Sequence, residues 1–557
     1  MGKGIFLLII FFNALFINAQ EISKNIPFSF SQKKVKVNEN ILRIKSLNIE
    51  EILLKDSIQF VESQQFNVAH FQAFNFSIRN RDCSKLQDSI LVYKSTLTLP
   101  KARKIAIKFE NLFLPKGSEL FIYSPKQKNI FLSFSAKNKA LILSHFISKP
   151  IDGADLVIEY NQSVLSKKEP EISILGFLNF YEKNTSRAPG FGGSTSCEVN
   201  TACSEGDDWC QQINSVVKIF IQSGNSYSYC TGSVVNNTKQ DKTPYILTAE
   251  HCGMYASAED FKYWTFEFNF QSELCESPAS ESEIKSNKII GCEKIAQARR
   301  SGYLGSDFRL VKLLDSIPYK WSVNYAGWDA QEYSEITNTG VSIHHPYGDI
   351  KKISTYSRKL TSTDSEGGTQ SDEYWKTYWD ATENGYGITE GGSSGSPLFN
   401  SEGLIIGTLA TGSSFCEYAT DMPDYYGKIS KHWLQNGEDI HQQLKPWLDP
   451  LNKGILKLNN LNTYQSNTCK KQKIFEEFTI YPNPAQNIIT IGYHNLTVLS
   501  EATIEIFNLQ GKLVLLENTS AIISNKEIDV SSLCNGFYIL KLSKASWNIE
   551  QKFVILR

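Results

Sequence analysis

Methionine is scarce, with three in 557 residues, and the charges nearly cancel at 57 basic against 58 acidic side chains. A net charge of −1 leaves no basic field for nucleic acid or an anionic membrane surface, so neither is expected as a partner. Long apolar runs are missing with one exception, Ile5 to Phe16 behind Lys3. That run is shorter than the roughly 20 residues a bilayer span requires, and Ala19-Gln20 follows it as a small-residue cleavage point. Residues 1–19 therefore read as a secretory signal rather than an anchor, and the remainder as an exported, soluble protein. Close C-x-x-C pairs are absent among the 11 cysteines. The adjacent pair His344-His345, before Pro346, has no carboxylate or third ligand at useful spacing. No metal and no other cofactor is expected.

Export makes the cysteines readable as disulfides, and eight of them fall between Cys197 and Cys416. Strand-formers alternating with Gly, Asn and Ser turns favour an all-β chain of several domains. Its chemistry centres on Gly391-Gly392-Ser393-Ser394-Gly395-Ser396-Pro397. Glycines on a tight turn before a strand expose a hydroxyl and let backbone N–H groups converge on one point. Alone, such a cluster is more often a surface turn. Upstream, however, Thr248-Ala249-Glu250-His251-Cys252 ends the apolar run Tyr245-Ile246-Leu247, and Ser306-Asp307-Phe308-Arg309 lies between the two. The order His, Asp, Ser is that of the chymotrypsin arrangement, not of subtilisins or α/β-hydrolases. Glu250 beside the histidine is expected to face water.

Several separated motifs carry a more specific likeness. Cys203-Ser204-Glu205-Gly206-Asp207, Cys230-Thr231-Gly232-Ser233-Val234, Leu247 to Met254, Tyr325-Ala326-Gly327-Trp328-Asp329 and Ile343-His344-His345-Pro346 resemble the lysyl endopeptidase family of secreted bacterial serine proteases. The likeness spans about residues 195 to 450. It implies a chymotrypsin-like double β-barrel and a serine endopeptidase acting as a monomer on protein or peptide substrates. In that frame His251 is the general base, Asp307 its orienting partner and Ser394 the nucleophile. The N–H groups of Gly392 and Ser394 form the oxyanion hole, and His344-His345-Pro346 is a structural turn.

The same resemblance implies disulfides Cys230–Cys252, Cys197–Cys416 and Cys203–Cys275, each worth about 2–5 kcal/mol in an exported domain. Cys210 and Cys292 are additional to that set and are expected to form a fourth pair. The backbone of Ala410-Thr411-Gly412-Ser413 should pair with an extended substrate, so Thr411 and Gly412 are substrate-binding candidates. The segment Asp424-Tyr425-Tyr426-Gly427-Lys428 matches the family pattern that puts a carboxylate at the base of the specificity pocket, with Asp421 as fallback. Cleavage after Lys is expected, Arg being open. Glutamyl or small-residue preference and a non-catalytic adhesin on a protease fold are the competing readings. Two departures stand out. Ser393 occupies the place of the aspartate that receives a new amino terminus in trypsin-like zymogens, so activation should mean loss of a pro-domain. Ala410 replaces a histidine in the family pocket, and Trp375 and Trp379 read as strand residues in the core rather than as a stacking tryptophan.

Around this segment, residues 20–187 read as a separate β-rich domain, either a pro-domain or a retained binding sandwich; its position favours a pro-domain. Ser95 to Leu99 and Lys104 to Phe109 alternate as half-buried strands do. The polar stretch Glu182 to Gly190 is a natural linker and nick site. The protease segment then covers 188–457 and an asparagine-rich linker 458–475. Residues 476–557 open on Tyr481-Pro482-Asn483-Pro484 and end on Lys552 to Arg557. They form a small β-sandwich resembling the C-terminal sorting domain of the type IX secretion system. That resemblance implies passage through the periplasm and across the outer membrane, to the surface or the medium, with the secretion machinery as partner.

Overall fold

A computed structural model describes residues 26–31, 39–63, 66–86, 90–126, 131–136, 139–181, 189–298, 306–332, 338–363, 372–434, 437–462, 478–493, 503–518, 526–544 and 547–557. The signal segment 1–19, the nick site at 182–188, Cys469 and most of the 458–475 linker lie outside these residues. The chain forms two compact units, 1–464 and 465–557.

In the first unit, residues before 182 build a sandwich. One sheet orders β1 (Asn67–Ile78), β4 (Glu171–Phe180), β2 (Lys104–Leu114) and β3 (Leu141–Ile147) side by side. The other contains Glu39–Arg43, Ile90–Thr98, Asp155–Ser163, Ser118–Tyr123 and Phe131–Ser135. Alternate residues point inward from both, so Leu97, Ile122, Phe134 and Ile158 share one core with Ile105, Phe109, Phe146 and Ile174.

The first sheet does not stop at β1. It continues into β6 (Ser226–Val234), so the sandwich and the following region share twelve strands. Contacts join the two: Phe180 stacks on half-buried Phe220, and buried Lys108 Nζ donates to Gln222 Oε1 at 2.8 Å while lying over the Tyr263 ring.

The first barrel orders β9 (Asn287–Ile290), β8 (Thr265–Phe268), β5 (Val216–Ser223), β6, β7 (Tyr245–Thr248), β11 (Arg309–Leu313) and β10 (Cys292–Gln297). Its ends, β9 and β10, are separated in sequence only by Gly291, which has φ +86°, so the sheet curls back on itself. Val217, Ile219, Trp264, Phe266 and Val311 fill it. The second sheet orders β13 (Lys352–Tyr356), β12 (Gly340–His344), β15 (Pro397–Asn400), β16 (Ile405–Gly412), β17 (Asp424–Lys428) and β14 (Tyr374–Thr377). Leu398, Ile406, Leu409 and Tyr426 pack within it. A third cluster, including Leu247, Phe308, Leu310, Ile343 and Phe399, joins the two barrels. The loops that end β7, precede β11 and precede β15 come together there, which places the candidate residues at the seam of a chymotrypsin-like double barrel.

The second unit is a small β-sandwich. Phe478–Tyr481, Ile488–Tyr493 and Lys526–Asp529 form one sheet; Leu513–Asn518, Thr503–Asn508, Gly536–Lys544 and Trp547–Ile555 form the other. Ile489, Ile506, Leu540 and Phe553 lie in the shared core. Among the described residues no helix is long and apolar enough to cross a membrane.

Candidate active site

His251 follows β7 on a turn, and Asp307 sits just before β11. Asp307 takes φ +56°, a left-handed conformation that aspartate adopts more readily than most residues. From there its carboxylate reaches the histidine twice. His251 Nδ1 lies 2.7 Å from Oδ2, and the His251 backbone N–H donates to Oδ1 at 3.0 Å. A carboxylate only accepts, so it holds the imidazole proton on Nδ1 and leaves the Nε2 lone pair unprotonated. Nε2 is buried and makes no hydrogen bond.

The loop bearing Ser394 is tied to the histidine loop through β6. Thr231 N–H donates to the Ser394 carbonyl at 2.8 Å, and Thr231 Oγ1 donates to the Gly392 carbonyl at 2.9 Å. Gly395, at φ +78°, passes so near the histidine loop that a Cβ would lie 2.2 Å from Thr248 Oγ1. Only glycine permits that approach. Ser394 is half-buried. Among the described residues, the N–H groups of Gly392 and Ser394 donate to no protein acceptor, as an oxyanion hole requires.

Four supports surround these residues. Arg309 is buried and donates to the carbonyls of Cys252 (3.1 Å) and Gly253 (2.8 Å), clamping the turn that bears His251. Glu250 does not face water; it is buried and lies 3.7 Å from Arg309, whose charge draws the carboxylate inward. Behind Asp307, Ser306 Oγ, His432 and Thr408 Oγ1 form a buried chain with distances of 2.6 and 2.9 Å. Burial pushes His432 down to about 3, so it stays neutral. Finally, His344 bonds Ser393 Oγ at 2.8 Å and Ser354 Oγ at 2.9 Å, with burial lowering it likewise to about 3. The turn histidine thus props up the residue next to Ser394.

The residues near the expected specificity pocket are equally specific in their contacts. Asp424 is fully buried. Its Oδ2 accepts from Trp379 Nε1 (2.6 Å), Thr389 Oγ1 (2.7 Å) and Ser414 Oγ (2.7 Å), and its Oδ1 from the Ser414 N–H (3.1 Å). Burial pushes its carboxyl above the usual range, against the pull of those donors. Exposed Gly412 covers it so closely that a Cβ there would meet Asp424 Oδ1 at 2.0 Å. Thr411 is half-buried beside it, and β16 and β17 pair Gly412 with Asp424. Asp421 lies on an exposed turn away from these donors. Trp375 sits in β14 with the core, but Trp379 follows that strand and serves Asp424 rather than only filling space.

Three disulfides join Cys197–Cys416, Cys203–Cys275 and Cys230–Cys252. The fourth expected pair is wrong. Cys292 is a free thiol buried in the first barrel, facing the Phe261 carbonyl, whereas Cys210 is disulfide-bonded elsewhere. No group of three potential metal ligands occurs among the described residues.

Residues 191–427 match the family model "Lysyl endopeptidase, C-terminal domain", and residues 479–556 match "Secretion system C-terminal sorting domain". The lysyl endopeptidase of Pseudomonas aeruginosa is 28% identical over 263 residues, covering 44% of this chain and 53% of the relative. The chain thus spans about half the length of that curated relative. Among solved structures, a scabies mite inactivated protease paralogue aligns at 14% identity and TM-score 0.30, over 40% of this chain and 93% of the other. A mutant of human heparin binding protein aligns at 15% identity and TM-score 0.28, over 44% and 95%. The sorting-domain match places the chain among exported proteins, secreted or at the cell surface.

Proposed function

We propose that the chain is a serine endopeptidase cutting after lysine, delivered by the type IX machinery, because residues 191–427 match the lysyl endopeptidase family and residues 479–556 the secretion sorting domain. The observation that carries the reading is the 2.7 Å contact of His251 Nδ1 with Asp307, on a loop bonded through Thr231 to Ser394. Ser394 Oγ attacks the substrate carbonyl carbon as its proton passes to His251 Nε2. The oxyanion takes the N–H groups of Gly392 and Ser394. Collapse breaks the C–N bond, and His251 returns the proton to the leaving amine. Water then attacks the acyl-enzyme, giving its proton to His251; the acid leaves and Ser394 regains its hydrogen. In apo enzymes the serine–histidine bond is often open and tightens in the complex, which agrees with the unpaired Nε2.

The lysine preference rests on Asp424. An ammonium entering a dry pocket loses several kcal/mol of hydration unless an opposite charge meets it. Asp424 lies one glycine away from the surface, beneath Gly412, while Thr411 and Gly412 offer backbone to the extended substrate. Residues 20–187 act as the pro-domain of this enzyme. The reading is tested with amide reporters differing only in the residue whose carbonyl is cleaved. Rapid cleavage of the lysyl reporter with slow leucyl and glutamyl cleavage is expected, whereas a glutamyl preference, or no turnover of any, would overturn it.

A further inference from the structure

Strand β1 not only extends the first barrel; it leads to the nucleophile loop. It runs antiparallel to β6, with His70 opposite Ser226, Ala69 opposite Tyr227 and Asn67 opposite Ser228. The Phe71 N–H donates to the Asn225 carbonyl at 2.7 Å. Beyond Ser228, β6 continues to Thr231, the residue that holds Ser394 and Gly392. Passing back from His70 to Asn67 therefore approaches the candidate nucleophile, and Phe66 is the next residue. Its ring lies against Gly391, where a Cβ would stand 2.9 Å from Phe66 Cγ. Tyr347 packs edge-on against the same ring at 5.0 Å, and its N–H donates to the Gly391 carbonyl at 2.5 Å.

The chain direction identifies which half of a substrate this strand imitates. From Phe66 to Phe71 the chain leads away from Ser394. Residues that follow a scissile bond run from the reacting carbonyl in that sense, whereas residues preceding it run towards it. The opposite half is served by Thr411 and Gly412 on β16. A glycine at 391 also matters, because any side chain there would fill the space the phenyl ring takes. Once β1 departs, the edge of β6 presents unpaired backbone groups beside that space, which suits an added strand.

We propose that Gly391, Tyr347 and the β6 edge at Ser226–Ser228 form a subsite for the leaving-group half of an extended peptide, selective for an aromatic side chain. In the unprocessed chain Phe66–Phe71 occupy it, so the amino-terminal region blocks the enzyme as a strand laid in the product side of its own cleft. The proposal rests on the serine endopeptidase reading, and the experiment separates the two.

Processed enzyme collected from the host's medium is titrated by calorimetry with an acetylated peptide of sequence Phe66–Phe71 and with the same peptide carrying Phe66→Gly. The phenyl peptide should bind about tenfold more tightly, as expected for partial burial of one ring. In Tyr347→Ala enzyme the ratio should fall below about twofold, since half of the ring's seat is gone. In parallel, substrates carrying Phe or Gly at each of the first three positions after the scissile bond should show a Phe preference at one of them. Equal affinities for the two peptides, or a ratio that survives Tyr347→Ala, would overturn the subsite. Failure to hydrolyse any peptide would instead overturn the protease reading, and the affinity ratio would still decide the subsite.

Discussion

Replacing Asp424 by Asn removes one charge at nearly constant shape, and the structure lets its two effects be separated. The first is on the fold. Asp424 receives four donors, of which the hydroxyls of Thr389 and Ser414 can rotate to become acceptors. The Trp379 N–H and the Ser414 backbone N–H cannot. An asparagine amide placed either way turns its NH₂ against one of them, orphaning one buried donor at about 1–3 kcal/mol of stability. The second effect is on the substrate. A lysyl substrate loses the charge that the proposed pocket offers its ammonium, about 3–5 kcal/mol for a broken buried pair, or roughly 10²- to 5 × 10³-fold in kcat/KM. A leucyl amide carries no charge and should keep its rate within about threefold of wild type. The assay is kcat/KM on lysyl, arginyl and leucyl reporters, with Tm measured on the same samples. The lysyl-to-leucyl ratio should also fall on acidification at a higher pH than an exposed aspartate titrates, because burial raises this carboxyl. Equal loss on all three reporters would refute the assignment, and so would an unchanged lysyl rate.

Two further outcomes follow from the packing. Since burial depresses His432 to about 3, the folded protein binds fewer protons than the unfolded chain below the ordinary histidine range. Its stabilising contribution is complete above that range and is lost as pH falls towards 3, at about 1.4 kcal/mol per pH unit. His432→Gln should flatten the dependence of unfolding free energy on pH between about 6 and 4 by that slope, read by denaturant melts; an unchanged slope would contradict the buried neutral histidine. Deleting residues 476–557 should leave the first unit folded, since the two units are separately compact, while the product accumulates in the periplasm. Undiminished export after the deletion would remove the sorting role.

What was legible in the sequence is what sits in short segments. The His251, Asp307 and Ser394 motifs each announce themselves within a few residues, and the loops that bear them do meet at one seam. The three disulfides that family likeness implied are all formed. What stayed hidden depends on partners far apart in the chain. Trp379 and Asp424 are 45 positions apart and Ser306 and His432 are 126 apart, so no local pattern links them. Glu250 looked like a solvated carboxylate because its neighbour in space, Arg309, belongs to another strand. Cys292 looked like a half-cystine because parity counts cysteines without knowing which ones are enclosed. The pairing of β1 with β6 was invisible for the same reason, since alternation announces a strand but never its neighbour. Arg309, standing two residues after Asp307, was the one support with a usable signal: a cation inside an apolar strand requires a buried acceptor.

The central claim, that His251 and Asp307 activate Ser394, is tested most directly by covalent trapping. Processed enzyme is incubated with a fluorophosphonate, digested, and the adduct located by mass spectrometry. The account predicts one adduct, on Ser394, lost in Ser394→Ala and slowed at least about a thousandfold in His251→Ala. An adduct on Ser393, or peptide hydrolysis persisting in Ser394→Ala, would contradict it.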